Sequence, residues 1–184
     1  GEADERALKL PGIASGSRAD GLVVLGAFSE EYLQRLADNS DVPVVRMDAA
    51  AKGVRLDSVV SDNVEGGRAV TEYLFSMGHR DIGFVGTLNI TSGIDDRFLG
   101  FVKAHMERGV SHSDKRIIDD RDKDKGIIDP IGCLLFDKED MPTAFFCNCD
   151  ETAMNLVKKL EAAGFRVPED ISVAGFDNYL SEPI

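Results

Sequence analysis

The chain has 184 residues, of which 43% are hydrophobic and 29% charged, a composition typical of a globular protein with a buried core. Its formal net charge of -12 and the lack of any run of Lys and Arg argue against direct binding of DNA, which needs a basic surface. A small neutral or cationic partner suits this negative field better than a polyanion does. No apolar segment approaches the roughly 18 residues of a membrane-spanning helix, so we expect no membrane partner.

The cysteines Cys133, Cys147 and Cys149 indicate reduced thiols rather than a disulfide framework, because their number is odd and two of them are close neighbours. Cys147 and Cys149 lie two apart in an apparent strand and share one face. A metal site at this pair would need further ligands, and no cluster of His or Cys supplies them. We therefore predict neither a metal nor a cofactor.

Short apolar runs alternate with amphipathic stretches along the chain, and this pattern predicts strands alternating with helices. In chain order the predicted elements are a strand at 21–26, a helix at 29–38, strands at 42–47 and 58–61, a helix at 63–77, a strand at 81–86, a helix at 96–108, a strand at 116–118, a helix at 127–136, a strand at 143–147, a helix at 150–163 and a strand at 171–175. Strands and helices in this order predict an α/β fold in which helices cover parallel sheets on both faces.

Local signals support several of these elements. Glycines bound the run at 21–26, which resembles a strand buried on both faces, and Ser29 is a suitable N-cap for the helix after it. The helix that begins at Asn63 ends before Gly78, a residue suited to a left-handed helix end. Its predicted apolar face consists of Ala69, Val70, Tyr73, Leu74 and Met77. We expect a short helix around residues 3–10 and a charged surface loop within residues 115–129.

Polar residues follow several predicted strands, and ligands of an open parallel sheet bind beyond the carboxyl ends of its strands. The residues at these positions are Asp48, Thr87 to Ser92, Cys149, Asp150, Asp177 and Asn178. Their placement predicts a ligand site, although it does not identify the ligand.

Five segments in the same order resemble the LacI/GalR family of bacterial transcription regulators. They are VSDNVEGGR at 60–68, MGHRDIGFVG at 77–86, RFLGF at 97–101, PTAFFCNCD at 142–150 and GFRVPEDISVAGFDN at 164–178. The resemblance extends from about residue 20 to residue 178. It implies an effector-binding domain of two lobes, similar to periplasmic sugar-binding proteins (type I), with a helix-turn-helix headpiece elsewhere in the protein.

By this resemblance, residues 1–77 correspond to part of the N-terminal lobe and residues 78–184 to the C-terminal lobe without its final segment. We accordingly expect a domain truncated at both ends, in which no residue contacts DNA directly. Operator DNA would then be bound only through the absent headpiece.

The resemblance also implies ligand contacts in the cleft between the lobes. Arg97 matches an arginine that binds ligand oxygens, and a guanidinium suits that role because it can donate two parallel hydrogen bonds. The alternative is an exposed first-turn arginine paired with Asp95 or Asp96. Asp177 matches an aspartate that accepts from ligand hydroxyls or amines, and its alternative is a turn residue that binds backbone N–H groups. Asp48 matches a contact from the N-terminal lobe.

Four further residues complete the predicted ligand site. Asp150 either contacts ligand or caps the helix that follows it. Cys149 stands where many relatives carry a polar amide, and Ser92 lies in the loop before the arginine. Arg121 falls where relatives often place an aromatic ring against a sugar or purine. Two explanations are open. Either the ligand differs from theirs and the arginine stacks on it or binds an anion, or the alignment is displaced in the charged stretch.

The sequence thus predicts a cytoplasmic ligand-binding module rather than an enzyme. Its partners would be a small-molecule effector, a sugar or related metabolite, and a second copy of the chain in a homodimer. A periplasmic solute-binding protein of the same fold is the first alternative. An enzyme using Asp48, Asp150 and Asp177 is the second, although no nucleophile elbow, phosphate-binding glycine loop or His–acid pair accompanies them.

Overall fold

All strand pairs in the described part of the chain are parallel, as the alternation of strands with helices predicts. The computed structural model describes residues 9–15, 19–26, 28–50, 53–121 and 140–179. These fall into two compact units, one made of Gly1–Ser61 with Thr91–Gly93 and the other of Asp62–Ile90 with Ile94–Ile184. The predicted α/β class, with parallel sheets flanked by helices, is confirmed.

The first unit has a three-stranded sheet in the order β1-β2-β3. Its elements are β1 (Leu22–Leu25), α1 (Glu30–Asn39), β2 (Val44–Met47) and β3 (Asp57–Val59). Ser29 is the N-cap of α1, and its hydroxyl accepts from the Tyr32 N–H at 3.3 Å, as predicted.

One face of this sheet forms the core of the first unit. Val24 of β1 and Leu33 and Leu36 of α1 are buried together. Val23 and Leu25 point to the other face and are 64% and 65% exposed. The expectation that β1 is buried on both faces is therefore wrong for the described chain, because helix α1 covers only one side.

The second unit has a four-stranded sheet in the order β5-β4-β6-β7. Its elements are α2 (Asn63–Ser76), β4 (Ile82–Val85), α3 (Ser92–Arg108), β5 (Ile117–Ile118), β6 (Ala144–Cys147), α4 (Asp150–Ala162) and β7 (Ser172–Ala174). Strands β4 and β6 are central and fully buried, as expected of parallel strands with helices on both faces.

Side chains of the two central strands alternate between two cores. Phe84 and Phe146 point to the side of α2 and α3, where the Phe84 ring also contacts the ring of Phe101. Phe145 points to the opposite side, towards Leu156 of α4. Because both faces are filled with large apolar side chains, the sheet is held firmly and its carboxyl ends form a defined edge.

Helix α2 presents a different face to the core from the one its sequence predicts. Of the predicted face Leu74 is buried, but Tyr73 and Met77 are 61% and 63% exposed and Ala69 is exposed as well. Gly67 and Thr71 are buried in their place, where the helix meets α3.

Helices α2 and α3 approach each other closely at Gly67 and Gly100. A Cβ atom at Gly67 would overlap the backbone of Arg97, and one at Gly100 would overlap the carbonyl oxygen of Val64. Only residues without a side chain permit this approach. It brings Asn63, at the start of α2, beside the second turn of α3.

Two further predictions concern helices. Helix α3 begins at Ser92, one turn before the predicted start at Asp96. The predicted helix at 127–136 lies outside the described residues, as does most of the one around 3–10. Among the described helices, none combines the length and apolar character that crossing a bilayer requires.

The main segment of the first unit ends at Ser61, whereas the resemblance places the boundary between the lobes after Met77. Helix α2 groups with the second unit because Leu74 and Phe75 pack against Ile82 and Phe84 of β4. The assignment of residues 1–77 and 78–184 to two lobes stays a prediction.

Replacing Gly100 by Ala tests the close approach of α2 and α3. Helix propensity alone predicts that alanine stabilises a helix by about 0.5–1 kcal/mol. The overlap with the Val64 carbonyl reverses this sign, and we expect a loss of about 1–3 kcal/mol in the free energy of unfolding. Urea denaturation measures it, with Leu99→Ala as the control on an exposed position of the same helix. A stabilised Gly100→Ala variant would contradict the close approach.

Candidate functional site

Arg97 is the centre of a polar cluster at the carboxyl ends of strands in the second unit. Its side chain is only 11% exposed, and its three nitrogens contact acceptors on three different elements, two by hydrogen bonds and one by an ion pair. Nε donates to Asn63 Oδ1 at 2.9 Å, and Nη1 donates to the carbonyl oxygen of Asn148 at 2.6 Å. Nη2 forms an ion pair with Asp177 Oδ1 at 2.9 Å. The guanidinium is therefore held in one orientation.

The segment after β7 supplies the rest of this cluster. The Phe176 ring lies under the guanidinium, with its centroid 4.0 Å from Arg97 Cζ, close enough for a cation–π interaction. Asp177 and Asn178 both have positive φ angles, 90° and 52°. A non-glycine residue in this region costs roughly 1–2 kcal/mol, so the turn is strained where it presents the Asp177 carboxylate. That carboxylate is 39% exposed and thus reachable by a ligand.

A second polar cluster surrounds Asp120, which follows β5 and is completely buried. Its Oδ1 accepts from the Thr87 backbone N–H and from Arg121 Nε, both at 2.9 Å. Its Oδ2 accepts from Arg121 Nη2 at 2.7 Å, from Asn148 Nδ2 at 2.6 Å and from the Thr152 hydroxyl at 2.9 Å. Five donors thus satisfy one carboxylate.

Burial of Asp120 acts to raise its pKa, since a charge loses its hydration in the interior. The hydrogen bonds from Arg121, the Thr87 N–H and Asn148 outweigh this effect and hold the pKa of Asp120 well below its usual range. The hydrogen bond with Asp120 also raises the pKa of Arg121. Asp120 is therefore a buried, paired anion rather than a proton donor.

Arg121 directs its guanidinium fork at Asp120. Its side chain is 16% exposed, and the two parallel hydrogen bonds to the neighbouring carboxylate use one edge of the fork. This geometry does not test whether Arg121 binds an anionic ligand or stacks against the ring of a ligand. The fork nevertheless has a protein partner that the sequence did not predict.

Cys149, rather than Asp150, occupies the N-cap position of α4. Its side chain makes no capping hydrogen bond. Asp150 is the first residue inside the helix, and its Oδ2 accepts from the Tyr179 N–H at 2.7 Å. The interpretation of Asp150 as an N-cap is thus wrong, because the extended backbone ends at Cys149. Asp150 instead ties the segment after β7 to α4.

The remaining two predicted contacts are Asp48 and Ser92. Asp48 belongs to the first unit, is exposed, and adopts a positive φ of 66° directly after β2. Its backbone N–H donates to the Val59 carbonyl oxygen at 2.8 Å, which orders the turn. Ser92 is the first residue of α3 and is partly buried. Their part in a ligand site stays a prediction.

The structure thus brings Arg97 and Asp177 together, and it rejects the alternative in which Arg97 is an exposed first-turn residue paired with Asp95 or Asp96. Sequence inspection missed three of the polar partners, Asn63, Asp120 and Asn148. Asn148 precedes the N-cap and Asp120 follows a short strand, so strand-end position was the signal that could have found both.

Metal binding has no support among the described residues, where no three His, Cys, Asp or Glu side chains are grouped as ligands. Cys147 is fully buried, and burial raises the pKa of its thiol well above the usual value. Its Sγ therefore packs as an apolar group in the core next to α4.

Replacing Arg121 by Met tests the pairing with Asp120. The change leaves a buried carboxylate without its cation, and we expect a loss of about 3–5 kcal/mol in the free energy of unfolding at pH 7. Arg166→Met is the control, because the Arg166–Asp170 pair is exposed to solvent and its loss should change the free energy of unfolding very little. Equal losses in the two variants would contradict the pairing.

This difference depends on pH in a defined direction. The folded pKa of Asp120 lies below its ordinary value of 3.8, so its stabilising contribution is complete above that pH. The contribution is lost as the pH falls through the folded pKa. We expect the advantage of the parent over Arg121→Met to shrink in denaturation curves below pH 3.8.

Comparison with known proteins assigns the chain to a family. The periplasmic binding protein-like domain family matches residues 71–183. The HTH-type transcriptional repressor PurR of Photobacterium profundum is 35% identical over 173 residues, which cover 91% of this chain and 52% of that protein. The chain thus spans about half the length of the curated relatives it matches.

Solved structures of two regulators are similar as well. A LacI transcriptional regulator from a Rhodococcus species superposes with a TM-score of 0.74 at 27% identity, covering 88% of this chain and 59% of that one. The complex of the transcriptional regulator CelR with cellobiose superposes with a TM-score of 0.73 at 24% identity, covering 97% and 54%, and shows the fold. The chain therefore belongs to the periplasmic binding protein-like family, as an effector-binding domain of the LacI/GalR type.

Proposed function

We propose that the chain is the ligand-sensing part of a bacterial LacI/GalR-type transcription regulator. A small-molecule effector, a sugar or related metabolite, binds at the strand ends around Arg97 and Asp177. The single observation that carries this proposal is the ion pair of these two residues, oriented by Asn63 and Asn148 and yet partly open to solvent at Asp177.

The exposed hydrogen-bonding groups of the pair define the chemistry of the effector. A guanidinium has five N–H donors. Each of the three nitrogens of Arg97 already contacts one acceptor within the protein. The exposed oxygen surface of Asp177 favours ligand hydroxyl or amine donors over a carboxylate or phosphate. Since Arg121 is already paired with Asp120, we expect a neutral or cationic effector rather than an anion.

Regulation follows from differential binding. An effector shifts the balance of two conformations only as far as it prefers one of them, and the same preference then alters operator affinity. Operator DNA is bound by a helix-turn-helix headpiece elsewhere in the protein, acting as a homodimer whose spacing matches two half-sites. The net charge of -12 agrees with DNA binding by the headpiece, because a negatively charged domain repels the phosphates of DNA.

The effector is bound without being converted, and the protein acts in the cytoplasm. The carboxylate of Asp120 is saturated by five donors, and those of Asp150 and Asp177 bind the Tyr179 N–H and Arg97. Within the described part of the chain, the hydrogen bonds given for these carboxylates include no histidine, which general acid–base catalysis most often uses. Quantifying the bound compound by NMR after prolonged incubation tests this, and any turnover would contradict it.

Calorimetric titration of the 184-residue chain tests ligand binding. The probes are cellobiose, other neutral sugars, purine bases and, as the anion, inorganic phosphate. We expect a neutral probe to bind and phosphate not to bind. Binding of phosphate alone would contradict the proposed effector chemistry, and binding of none of them would contradict the ligand-sensing site.

Asp177→Asn tests the residue that faces the ligand. With the neutral probe that binds, the lost charged acceptor should weaken affinity by about 10- to 100-fold, as expected for a hydrogen bond to a charged group. Asp140→Asn is the matched control, because Asp140 precedes β6 at the other end of the sheet and pairs with Lys115. Equal affinities of parent and Asp177→Asn would remove Asp177 from the site.

A further inference from the structure

Asp120 is connected to Arg97 through one intervening residue. The side-chain amide of Asn148 donates to Asp120 Oδ2 at 2.6 Å and to the Val85 carbonyl oxygen at 3.0 Å. The backbone carbonyl of the same residue accepts from Arg97 Nη1 at 2.6 Å. Asn148 is 2% exposed, so its polar groups must find their partners within the protein.

We infer that Asp120 is a positioning residue of the ligand site, which orients Arg97 by holding Asn148 in place. The inference rests on the proposed function only in taking Arg97 as part of the site. The hydrogen bonds described for Asp120 include Asn148 but not Arg97, and so it acts through Asn148. Without it, the Asn148 side chain loses its charged partner and keeps the Val85 carbonyl, so the residue whose carbonyl orients the guanidinium is held less firmly.

The direction of the hydrogen bonds explains why a carboxylate is needed here. Asn148, Thr152 and Arg121 all direct donors at Asp120, and an amide would turn its own N–H₂ group towards at least one of them. Thr152 has a single hydroxyl proton, which it donates to Asp120. The Thr152 hydroxyl oxygen also lies 3.2 Å from Cys149 Sγ. The cluster therefore extends from Asp120 to the residue that precedes α4.

A carboxylate that served stability alone would not control the order of Arg97. Its loss would lower the free energy of unfolding and leave the guanidinium bound to Asn63, Asn148 and Asp177. A positioning role predicts that removing Asp120 loosens Arg97 in the folded protein. These two outcomes differ in a measurement on Arg97 itself.

The test is NMR spectroscopy of the 184-residue chain with ¹⁵N-labelled arginine. A guanidinium with three bound nitrogens gives separate, slowly exchanging Nη–H signals, which Arg97→Lys assigns by their disappearance. In Asp120→Asn we expect the rotation rate about the Arg97 Cζ–Nη bonds to rise about tenfold, the change that one lost hydrogen bond produces. Asp81→Asn is the matched control. It removes a carboxylate that binds Nε and Nη2 of Arg116, just as Asp120 binds Nε and Nη2 of Arg121.

A second variant keeps the test valid if Asp120→Asn does not fold. Asn148→Ala keeps the backbone carbonyl and the Asp120 pairing with Arg121 but removes the link between them and Arg97. It should also speed the rotation of Arg97 about tenfold. Unchanged Arg97 signals in either folded variant, at whatever thermal stability, would overturn the inference. Since no ligand is added, such a failure is separate from failure of the proposed function.

Discussion

The carboxylate of Asp120 imposes the strongest local constraint in the second unit, because a fully buried charge must find all its partners within the protein. Those partners are Thr87 after β4, Arg121 beyond β5, Asn148 after β6 and Thr152 in the first turn of α4. One anion thus joins three strand ends and a helix. This edge of the sheet is consequently cross-linked by hydrogen bonds to one carboxylate.

A second constraint acts from the side of the sheet that α2 and α3 cover. Gly67 and Gly100 allow these helices to approach until backbone meets backbone. That approach places Asn63 within hydrogen-bonding distance of Arg97, while Asn148 reaches the same guanidinium from the end of β6. Arg97 is therefore oriented by two independent contacts before Asp177 contributes its charge. Such preorganisation lowers the cost of ordering the site when a ligand binds.

The resemblance to LacI/GalR regulators selected Arg97, and strand-end position together with that resemblance selected Asp177. Their part in a ligand site stays a prediction, because neither signal separates ligand contacts from structural residues. Arg121, Asp150 and Cys149 occupy the same edge, yet each makes a hydrogen bond within the protein that the sequence did not predict. No local pattern encodes the arrangement of these partners, because it is set by strand order and by the depth of burial.

The sequence by itself determined the α/β class, the order of strands and helices, the Ser29 cap and the relationship to the LacI/GalR regulators. Periodicity, capping and motifs act over neighbouring residues, so they can be recognised without any knowledge of the fold. Only the tertiary structure decided which face of α2 is buried, that Asp120 is an ion rather than a neutral acid, and that Arg97 binds Asp177. These outcomes depend on two glycines and one buried charge, whose effects appear only when distant segments come into contact.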